Sequence, residues 1–256
     1  MDLGQKLAGK RLLITGASSG IGAHLALLAA RCGAHVAVAA RRRERLEKLV
    51  GELREAGAAS ALAVSLDVSD PASIKACAAK AFQTFDGLDV LVNNAGVSGG
   101  GLALDTKLAD FDDVMNVNLR GPWQMAVSTA RQWRENGEPG IVINTASILG
   151  FGVSAGLAPY SVSKAAIIQM TKALALEWAR HNIRVNALAP GYFETEINAG
   201  YFDTAAGEKM VARIPMRRIG NLPELDGPFM LLATDASSFM TGTVLTVDGG
   251  HLVSDL

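Results

Sequence analysis

Short apolar runs alternate with helical segments along the whole chain, and this alternation limits the possible folds more than any other feature. Runs of this length and composition predict strands that are buried on both faces. Strands that alternate with helices form a parallel sheet whose crossovers cover both faces. The alternation therefore predicts that residues 1–256 form a single α/β domain with a doubly wound parallel sheet of seven strands. The predicted strands are residues 10–15, 35–40, 61–68, 88–92, 140–145, 183–189 and 243–247.

Composition narrows the possible functions. Hydrophobic residues make up 49% of the chain and its net charge is −1, which argues against nucleic acid or a membrane surface as the main partner. No apolar run approaches the roughly 20 residues that span a bilayer, and the N-terminus has no signal-peptide pattern. Cys32 and Cys77 form no metal-ligand spacing. We therefore expect a cytoplasmic protein that holds no metal and acts on a small molecule.

A glycine-rich loop joins the first predicted strand to the next helix. Residues 15–22 are Thr-Gly-Ala-Ser-Ser-Gly-Ile-Gly, and a strand, a glycine loop and a helix in this order place backbone N–H groups against a phosphate. Gly16 would allow the tight turn, Gly20 the approach of a pyrophosphate, and Gly22 the packing of helix on strand. Glycines that serve a plain turn are the alternative. The candidate cofactor-binding residues here are Gly16, Ser18, Ser19, Gly20, Ile21 and Gly22.

The end of the second strand predicts which dinucleotide binds. An acidic residue there would accept the ribose 2′-hydroxyl of NAD, but this chain has Ala40, followed by Arg41, Arg42 and Arg43. A guanidinium can bind a 2′-phosphate with two hydrogen bonds. We therefore predict NADP(H), bound by Arg41 and Arg42. The alternative, that the arginines begin a solvated helix, suits Arg43 and leaves the missing acid unexplained.

Tyr160 and Lys164 lie four residues apart in a predicted helix over residues 158–180. Four residues are about one helical turn, so both side chains project from one face. A free tyrosine has a pKa of about 10, and a nearby lysine charge is expected to lower it. A phenol with a pKa nearer neutrality can serve as a general acid or base. The alternative is two unrelated residues that share a face by chance.

Other polar groups follow the remaining strands. Asp67 and Val68 end the third strand, residues 93–96 (Asn-Asn-Ala-Gly) follow the fourth, Ser147 follows the fifth, and residues 190–191 (Pro-Gly) follow the sixth. Ligands of such sheets bind beyond the carboxyl ends of the strands, so we expect these groups to meet in one site. Stabilisation of a turn explains residues 93–96 equally well.

Two prolines conflict with predicted helices. Gly121 and Pro122 interrupt a helical region over residues 106–136, so we expect a kink there or an end to its first half. Pro228 lies inside a predicted helix over residues 223–233, which suggests a kink or a late start.

The segment of residues 192–219 breaks the strand–helix alternation and is rich in large apolar groups. We interpret it as a substrate-binding lid; a surface helix pair packed on the body is the alternative. Ile197 is one of its apolar residues. The candidate substrate-pocket residues are Leu149, Phe151, Leu157, Tyr192 and Phe193.

Taken together, these motifs resemble the short-chain dehydrogenase/reductase family in its compact single-domain form, which has a Rossmann-type sheet. The resemblance covers essentially the whole chain. It includes residues 15–22, Asp67, residues 93–96, Asn118, Ser147, Tyr160 with Lys164, residues 190–191 with Thr195, and the Asp-Gly-Gly of residues 248–250.

The resemblance implies hydride transfer between a nicotinamide and a ketone or secondary alcohol. It implies that Tyr160 is the general acid and base, that Ser147 binds the carbonyl oxygen, and that Lys164 holds the nicotinamide ribose. Asn118 is expected to support a water relay to Lys164 from an irregularity in its helix. The other implied cofactor contacts are Asp67 and Val68 at the adenine, Asn94, Ala95 and Gly96 on the adenosine side, and Pro190, Gly191, Phe193 and Thr195 near the nicotinamide carboxamide.

The leading hypothesis is an NADPH-dependent ketone reductase that is reversible as an alcohol dehydrogenase. The mostly apolar pocket residues favour an apolar or extended ketone over a small polyol. A 3-oxoacyl thioester is one possibility, and a bulky, steroid-like or aryl ketone is another. Arg213, Arg217 and Arg218 could bind an acyl-carrier protein, although a solvated face also explains them. The alternatives are a non-catalytic NADPH-binding scaffold or sensor, whose relatives usually lack the tyrosine, serine or lysine, and an isomerase or dehydratase on the same fold.

The helix that carries Tyr160 also bears on assembly. It has small or apolar residues around most of its circumference, and such a helix must be covered on more than one side. A second copy across a two-fold axis is the simplest cover. The family resemblance suggests a homotetramer.

Overall fold

The computed structural model describes residues 2–195 and 200–254. Its centre is a seven-stranded sheet in the order β3-β2-β1-β4-β5-β6-β7, and every neighbouring pair is parallel. The order reverses between β1 and β4, where a doubly wound sheet opens a ligand-binding crevice. This confirms the predicted fold. The strands are β1 Arg11–Thr15, β2 His35–Ala40, β3 Ser60–Ser65, β4 Val90–Asn93, β5 Gly140–Thr145, β6 Ile183–Pro190 and β7 Val244–Val247.

Helices cover both faces of the sheet. One apolar core forms beneath α2, α3 and α9, and another beneath α4, α6 and α7. Alternate residues of β1 divide between them: Leu12 and Ile14 enter the first core and Leu13 the second, as the two-residue period of a strand requires. The helices are α1 Leu3–Leu7, α2 Gly20–Arg31, α3 Arg43–Glu55, α4 Pro71–Phe85, α5 Leu108–Met115, α6 Gly121–Asn136, α7 Ala158–Trp178, α8 Ala205–Val211 and α9 Asp226–Ala233.

The third strand is shorter than predicted and ends at Ser65 rather than at residue 68. The Asp67 carboxylate accepts hydrogen bonds from the backbone N–H and the hydroxyl of Ser69, at 2.9 and 2.6 Å. These bonds curl the chain out of the sheet and towards α4. Asp70 then caps α4 by accepting from the N–H of Ala72. Asp67 and Val68 therefore lie in the connection beyond the strand.

As expected, the first half of the helical region ends before Pro122, because α5 ends at Met115 and α6 begins at Gly121. A π-helical segment, Asn116–Arg120, joins the two helices. A π turn is wider than an α turn, and placed directly before Pro122 it accommodates the missing N–H and the bulk of the ring. A side chain does not fit at Gly121, because a Cβ there would lie 2.6 Å from the carbonyl oxygen of Val68. Pro228 falls in the first turn of α9, which confirms the late helix start.

The described part of the connection over residues 192–219 is fastened at both ends. The Gly220 N–H donates to the Tyr192 carbonyl at 2.9 Å, and the Met216 N–H donates to the Gly249 carbonyl at 3.2 Å. Between these stems lies α8; Ile197 lies outside the described residues. The connection therefore crosses the sheet edge next to the carboxyl ends of β6 and β7.

Candidate active site

A cavity of about 850 Å³ lies along the carboxyl edge of the sheet, from the glycine loop to the connection over residues 192–219. This volume suits a dinucleotide together with part of a substrate. The predicted site residues that line it are Gly16, Ser18, Ser19, Gly20, Ile21, Arg41, Arg42, Asp67, Val68, Asn94, Ala95, Gly96, Ser147, Leu149, Leu157, Tyr160, Lys164, Pro190, Gly191, Tyr192, Phe193 and Thr195. Gly22, Asn118 and Phe151 do not line it.

The glycine loop is tied to the end of β4 by contacts that leave no room for side chains. A Cβ on Gly16 would lie 2.6 Å from the Cα of Ala95, and one on Gly22 would lie 2.5 Å from the side-chain nitrogen of Asn94. Asn94 donates to the carbonyls of Thr15 and Gly16. Gly22 is thus required behind the loop, although it does not face the cavity.

Sequence reasoning missed the part played by Thr15. Its hydroxyl accepts from the N–H groups of Asn94 and Ala95, at 3.0 and 3.1 Å, and donates to the Val92 carbonyl. The hydroxyl at the end of β1 thereby fixes the neighbouring loop. A threonine directly before the glycine loop was the only available signal.

The N-terminus of α2 opens onto the cavity through Gly20 and Ile21. Ser19 precedes the helix and makes no side-chain capping bond. The first N–H groups of a helix have no intrahelical partner and carry partial positive charge. The residues therefore fit a pyrophosphate, which would accept hydrogen bonds from these groups.

Arg42 is held at the glycine loop. Its Nη2 donates to the hydroxyls of Ser18 and Ser19, at 2.8 and 2.9 Å. Arg43 instead points to solvent and pairs with Glu47 one turn along α3. Arg42 is therefore placed beside the loop that would hold the phosphates, whereas Arg43 belongs to a solvated helix face.

Arg41 also lines the cavity, and no carboxylate lies at the end of β2. The hydrogen bonds from Ser69, assisted by the charge of Arg41, hold the pKa of Asp67 below its usual range. The cationic groups fit the phosphorylated ribose of NADP(H).

Ser147 lies just beyond the carboxyl end of β5, and Tyr160 and Lys164 lie in the first two turns of α7. Ser147 follows β5 in extended conformation, and its Oγ accepts from the Leu149 N–H at 3.2 Å. Its hydroxyl also interacts with Tyr160 and acts to lower the pKa of that phenol. One helical turn further on, Lys164 donates from Nζ to the Thr145 carbonyl at 2.7 Å. The shared face predicted for Tyr160 and Lys164 is present.

The expected lowering of the Tyr160 pKa is wrong for this structure. Burial raises the pKa of Tyr160, and the bond from Ser147 opposes the rise only in part. The Lys164 Nζ lies over the face of the Tyr160 ring, 5.5 Å from its centre. Lys164 is itself buried, and burial lowers its pKa to about 8. Desolvation is therefore the largest influence on the pKa of both groups.

Asn118 lies in the π-helical segment and is only 1% exposed, so the predicted irregularity is present. Its side chain accepts from the Val97 N–H and donates to the Val97 carbonyl, both at 2.8 Å. It also donates to Ser163 at 3.0 Å, and the Ser163 hydroxyl donates to the Tyr160 carbonyl. Asn118 thus clamps the loop after β4 to α7. Sequence reasoning missed Ser163, whose only signal was a serine inside a helix one turn from Tyr160.

Apolar and aromatic side chains form most of the remaining wall of the cavity. Phe151 is a correction to the predicted pocket, because it is 52% exposed and lies outside the cavity lining; the short turn after Ser147 directs it outwards. Tyr201 and Phe202 line the cavity, as do Ser98 and Ser154, which the sequence did not single out. All three tyrosines of the chain therefore border one space.

Within residues 2–195 and 200–254, no helix is long and apolar enough to cross a membrane. In the same ranges, no three metal-ligating side chains group together.

Comparisons with known proteins agree over nearly the full length. The family model described as enoyl-(acyl carrier protein) reductase matches residues 16–251. The chain is similar to a 3-oxoacyl-[acyl-carrier-protein] reductase FabG of Thermotoga maritima, 39% identical, covering 97% of this chain and 100% of that protein. It is also similar to a 2-dehydro-3-deoxy-D-gluconate 5-dehydrogenase of Dickeya dadantii, 36% identical, covering 96% of both.

A solved structure gives the same result. A gluconate 5-dehydrogenase from Burkholderia cenocepacia, in complex with NADP and tartrate, superposes with a TM-score of 0.93 at 34% identity. The match covers 99% of this chain and 100% of that one.

Proposed function

The chain belongs to the short-chain dehydrogenase/reductase family of NADP(H)-dependent oxidoreductases that act on ketones and secondary alcohols, and on that premise we propose that Tyr160, Ser147 and Lys164 are its catalytic residues. One observation supports this most strongly. The side chains of Tyr160 and Ser147 interact within the cavity onto which the uncapped N-terminus of α2 opens. A proton donor and a phosphate-binding end thus share one space.

The proposed reaction is reduction of a ketone to a secondary alcohol, and it is reversible. NADPH, when bound, supplies the hydride. Ser147 donates to the carbonyl oxygen and orients it, and Tyr160 protonates that oxygen as negative charge develops on it. In the reverse direction the Tyr160 oxygen accepts the proton. The raised pKa of Tyr160 keeps the phenol protonated at neutral pH, which is the form that reduction needs.

Lys164 would hold the ribose hydroxyls of the cofactor with the N–H groups that Thr145 does not occupy. Its charge would then face the substrate end of the cavity. Asn118 and Ser163 form the bonded path from the loop after β4 to the backbone of Tyr160, and we assign Asn118 to holding this geometry and supporting a water relay to Lys164.

The cofactor contacts follow from the order of groups along the cavity. Asp67 and Val68 would flank the adenine, and Asn94, Ala95 and Gly96 its ribose. Arg41 and Arg42 would bind the 2′-phosphate, and the glycine loop the pyrophosphate. The residues proposed to lie near the nicotinamide are Pro190, Gly191, Phe193 and Thr195.

The connection over residues 192–219 would form the substrate lid. Its described residues include Tyr192, Tyr201 and Phe202, which line the cavity. The substrate would be a small ketone of 3-oxoacyl or sugar-acid type, the two classes named in the similar proteins.

The decisive experiment is a screen of NADPH oxidation over 3-oxoacyl thioesters, sugar acids, aryl ketones and steroids, followed by absorbance of the reduced nicotinamide. Sustained turnover that requires both ketone and NADPH supports the reductase. A binding scaffold would show saturable NADPH binding without turnover, and an isomerase or dehydratase would convert substrate without net NADPH consumption. Either result would refute the proposal.

We also propose that the protein is a cytoplasmic homotetramer. The outward face of α7 exposes Val162 by 51% and Leu176 by 83%, which supports burial of this face in a homotetramer. Cys32 and Cys77 are free thiols, which suits the cytoplasm. A monomer in light scattering at micromolar concentration would contradict the tetramer.

A further inference from the structure

Tyr192 is a polar group in the cavity that the proposed proton transfer does not use. It lies two residues after the end of β6 and lines the cavity. Within residues 2–195 and 200–254, no group forms a hydrogen bond with its hydroxyl, whereas Tyr160 interacts with Ser147. A largely buried phenol without a partner in the protein is a candidate to bond a ligand.

The Tyr192 ring is held in one orientation. It packs edge-on against Phe202, with ring centres 6.1 Å apart, and tilted against His251, with centres 5.5 Å apart. Its carbonyl is bonded to the Gly220 N–H. A ring fixed on two sides loses little further freedom when its hydroxyl binds a substrate, so its bond contributes to selection.

Tyr192 lies near Tyr160, the proposed proton donor. Ser147 and Tyr192 follow β5 and β6, which are neighbours in the sheet with Thr145 paired to Leu188, and neighbouring strands lie about 4.8 Å apart. A negative charge on Tyr192 would raise the pKa of Tyr160, although less than burial does. The two phenols therefore face the same part of the cavity.

Tyr192 is a neutral donor under ordinary conditions. Burial raises its pKa, a charge on Tyr201 would raise it further, and Arg213 opposes these effects only in part. A neutral phenol can both donate and accept one hydrogen bond. It can therefore bond either a hydroxyl or a carbonyl oxygen of the substrate.

We infer that Tyr192 is a specificity-determining residue whose hydroxyl selects ketones with a second oxygen one or two carbons from the reacting carbonyl. The inference rests on the proposed reductase function and names its substrate class. A simple ketone would displace water from the Tyr192 hydroxyl and return no hydrogen bond, which lowers its transition-state binding. The oxygenated ketone restores that bond while Leu149 and Leu157 enclose its carbon chain.

The test compares ethyl 3-oxobutanoate with heptan-2-one, which has a chain of the same length but lacks the second carbonyl. Both are assayed with wild type and Tyr192→Phe, and each substrate is judged by its own ratio of variant to wild type. We expect kcat/KM for the keto ester to fall about tenfold, mainly through KM, because a neutral hydrogen bond of this kind is worth about that factor. The value for heptan-2-one should change less than about twofold.

His251→Phe is the matched control for ring packing, since it keeps an aromatic ring against Tyr192 while it removes both nitrogens. It should keep the preference for the keto ester. NADPH binding by Tyr192→Phe should equal that of wild type and show that the variant folds. A measurement on wild type alone is independent of folding: ethyl 3-hydroxybutanoate should inhibit several-fold more tightly than heptan-2-ol.

The outcomes separate this inference from the proposed function. The specificity role would be overturned, and the reductase left intact, if kcat/KM in Tyr192→Phe fell equally for both ketones or for neither. Loss of the preference for the keto ester in His251→Phe would have the same meaning. Equal inhibition of wild type by the two alcohols would overturn it as well. A wild type that oxidises NADPH with no ketone would overturn the proposed function and this inference with it.

Discussion

Replacement of Lys164 by methionine should stabilise the fold while it abolishes activity. Burial lowers the pKa of Lys164 to about 8, against an ordinary value of 10.5. Each pKa unit corresponds to about 1.4 kcal/mol, so the protonated side chain destabilises the folded protein by about 3 kcal/mol at neutral pH. Methionine retains most of the apolar stem but loses the bond to Thr145, which offsets about 1 kcal/mol. We expect a net gain of about 2 kcal/mol in the free energy of unfolding.

The stability gained by Lys164→Met should decrease as the pH rises. Because the Lys164 pKa is lower in the folded than in the unfolded chain, the unfolded state binds more protons between pH 8 and 10.5. The stability of wild type therefore rises with pH across that window. Below pH 8 Lys164 is protonated in the folded and the unfolded state, so its full destabilising effect on wild type is present. Above pH 8 the difference in the free energy of unfolding between Lys164→Met and wild type should shrink.

Urea unfolding without cofactor, at one fixed protein concentration and at pH 7 and 10, measures both effects. Lys172→Met is the control, because Lys172 lies on the exposed face of the same helix; its stability should stay within about 0.5 kcal/mol of wild type. A Lys164→Met protein that is less stable than wild type at pH 7 would refute the reasoning, as would a difference that does not change with pH.

Four further substitutions test the site and the fold. Tyr160→Phe should lower kcat/KM for ketone reduction by roughly 10²–10⁴-fold, because it removes the proton donor; unchanged NADPH binding shows that the site is intact, and undiminished turnover would contradict the mechanism. Ser147→Ala removes the bond that opposes the raised pKa of Tyr160, so the alkaline limb of the pH–rate profile should move upwards; a downward shift would contradict this. Arg42→Ala should lower the preference for NADPH over NADH by roughly 10–100-fold, whereas Arg43→Ala should leave it unchanged; equal effects of the two would refute the assignment. Arg184→Met should destabilise the fold by about 3 kcal/mol in chemical denaturation, because this partly buried guanidinium donates to Ser237 and to three backbone carbonyls; a change below 1 kcal/mol would be too small for that role.

Much of the site could be predicted because its residues follow strands in sequence. The glycine loop, Ser147 and Tyr192 each lie directly beyond a strand, and a parallel sheet brings all strand ends to one edge. The order of motifs along the chain therefore placed them in one cavity. The shared face of Tyr160 and Lys164 was equally accessible, since helical periodicity is local.

Contacts between distant segments could not be predicted in the same way. Gly121 is required by the Val68 carbonyl, and Asn118 is bonded to Val97 and Ser163. Each contact joins residues from different elements, so no local pattern carries it. The outward direction of Phe151 depends likewise on the turn after β5, which places the side chain in solvent.

The chain of amino acids by itself determined the class of fold, the end of the sheet that carries the site, and the residue types for hydride transfer with NADPH. Only the tertiary structure decided the electrostatics of the pair at its centre. Sequence spacing brings a lysine within reach of a tyrosine, but the pKa of each depends on how much water surrounds it. Packing of α7 against the sheet removes that water, so Tyr160 remains a protonated acid and Lys164 becomes a buried charge that weakens the fold.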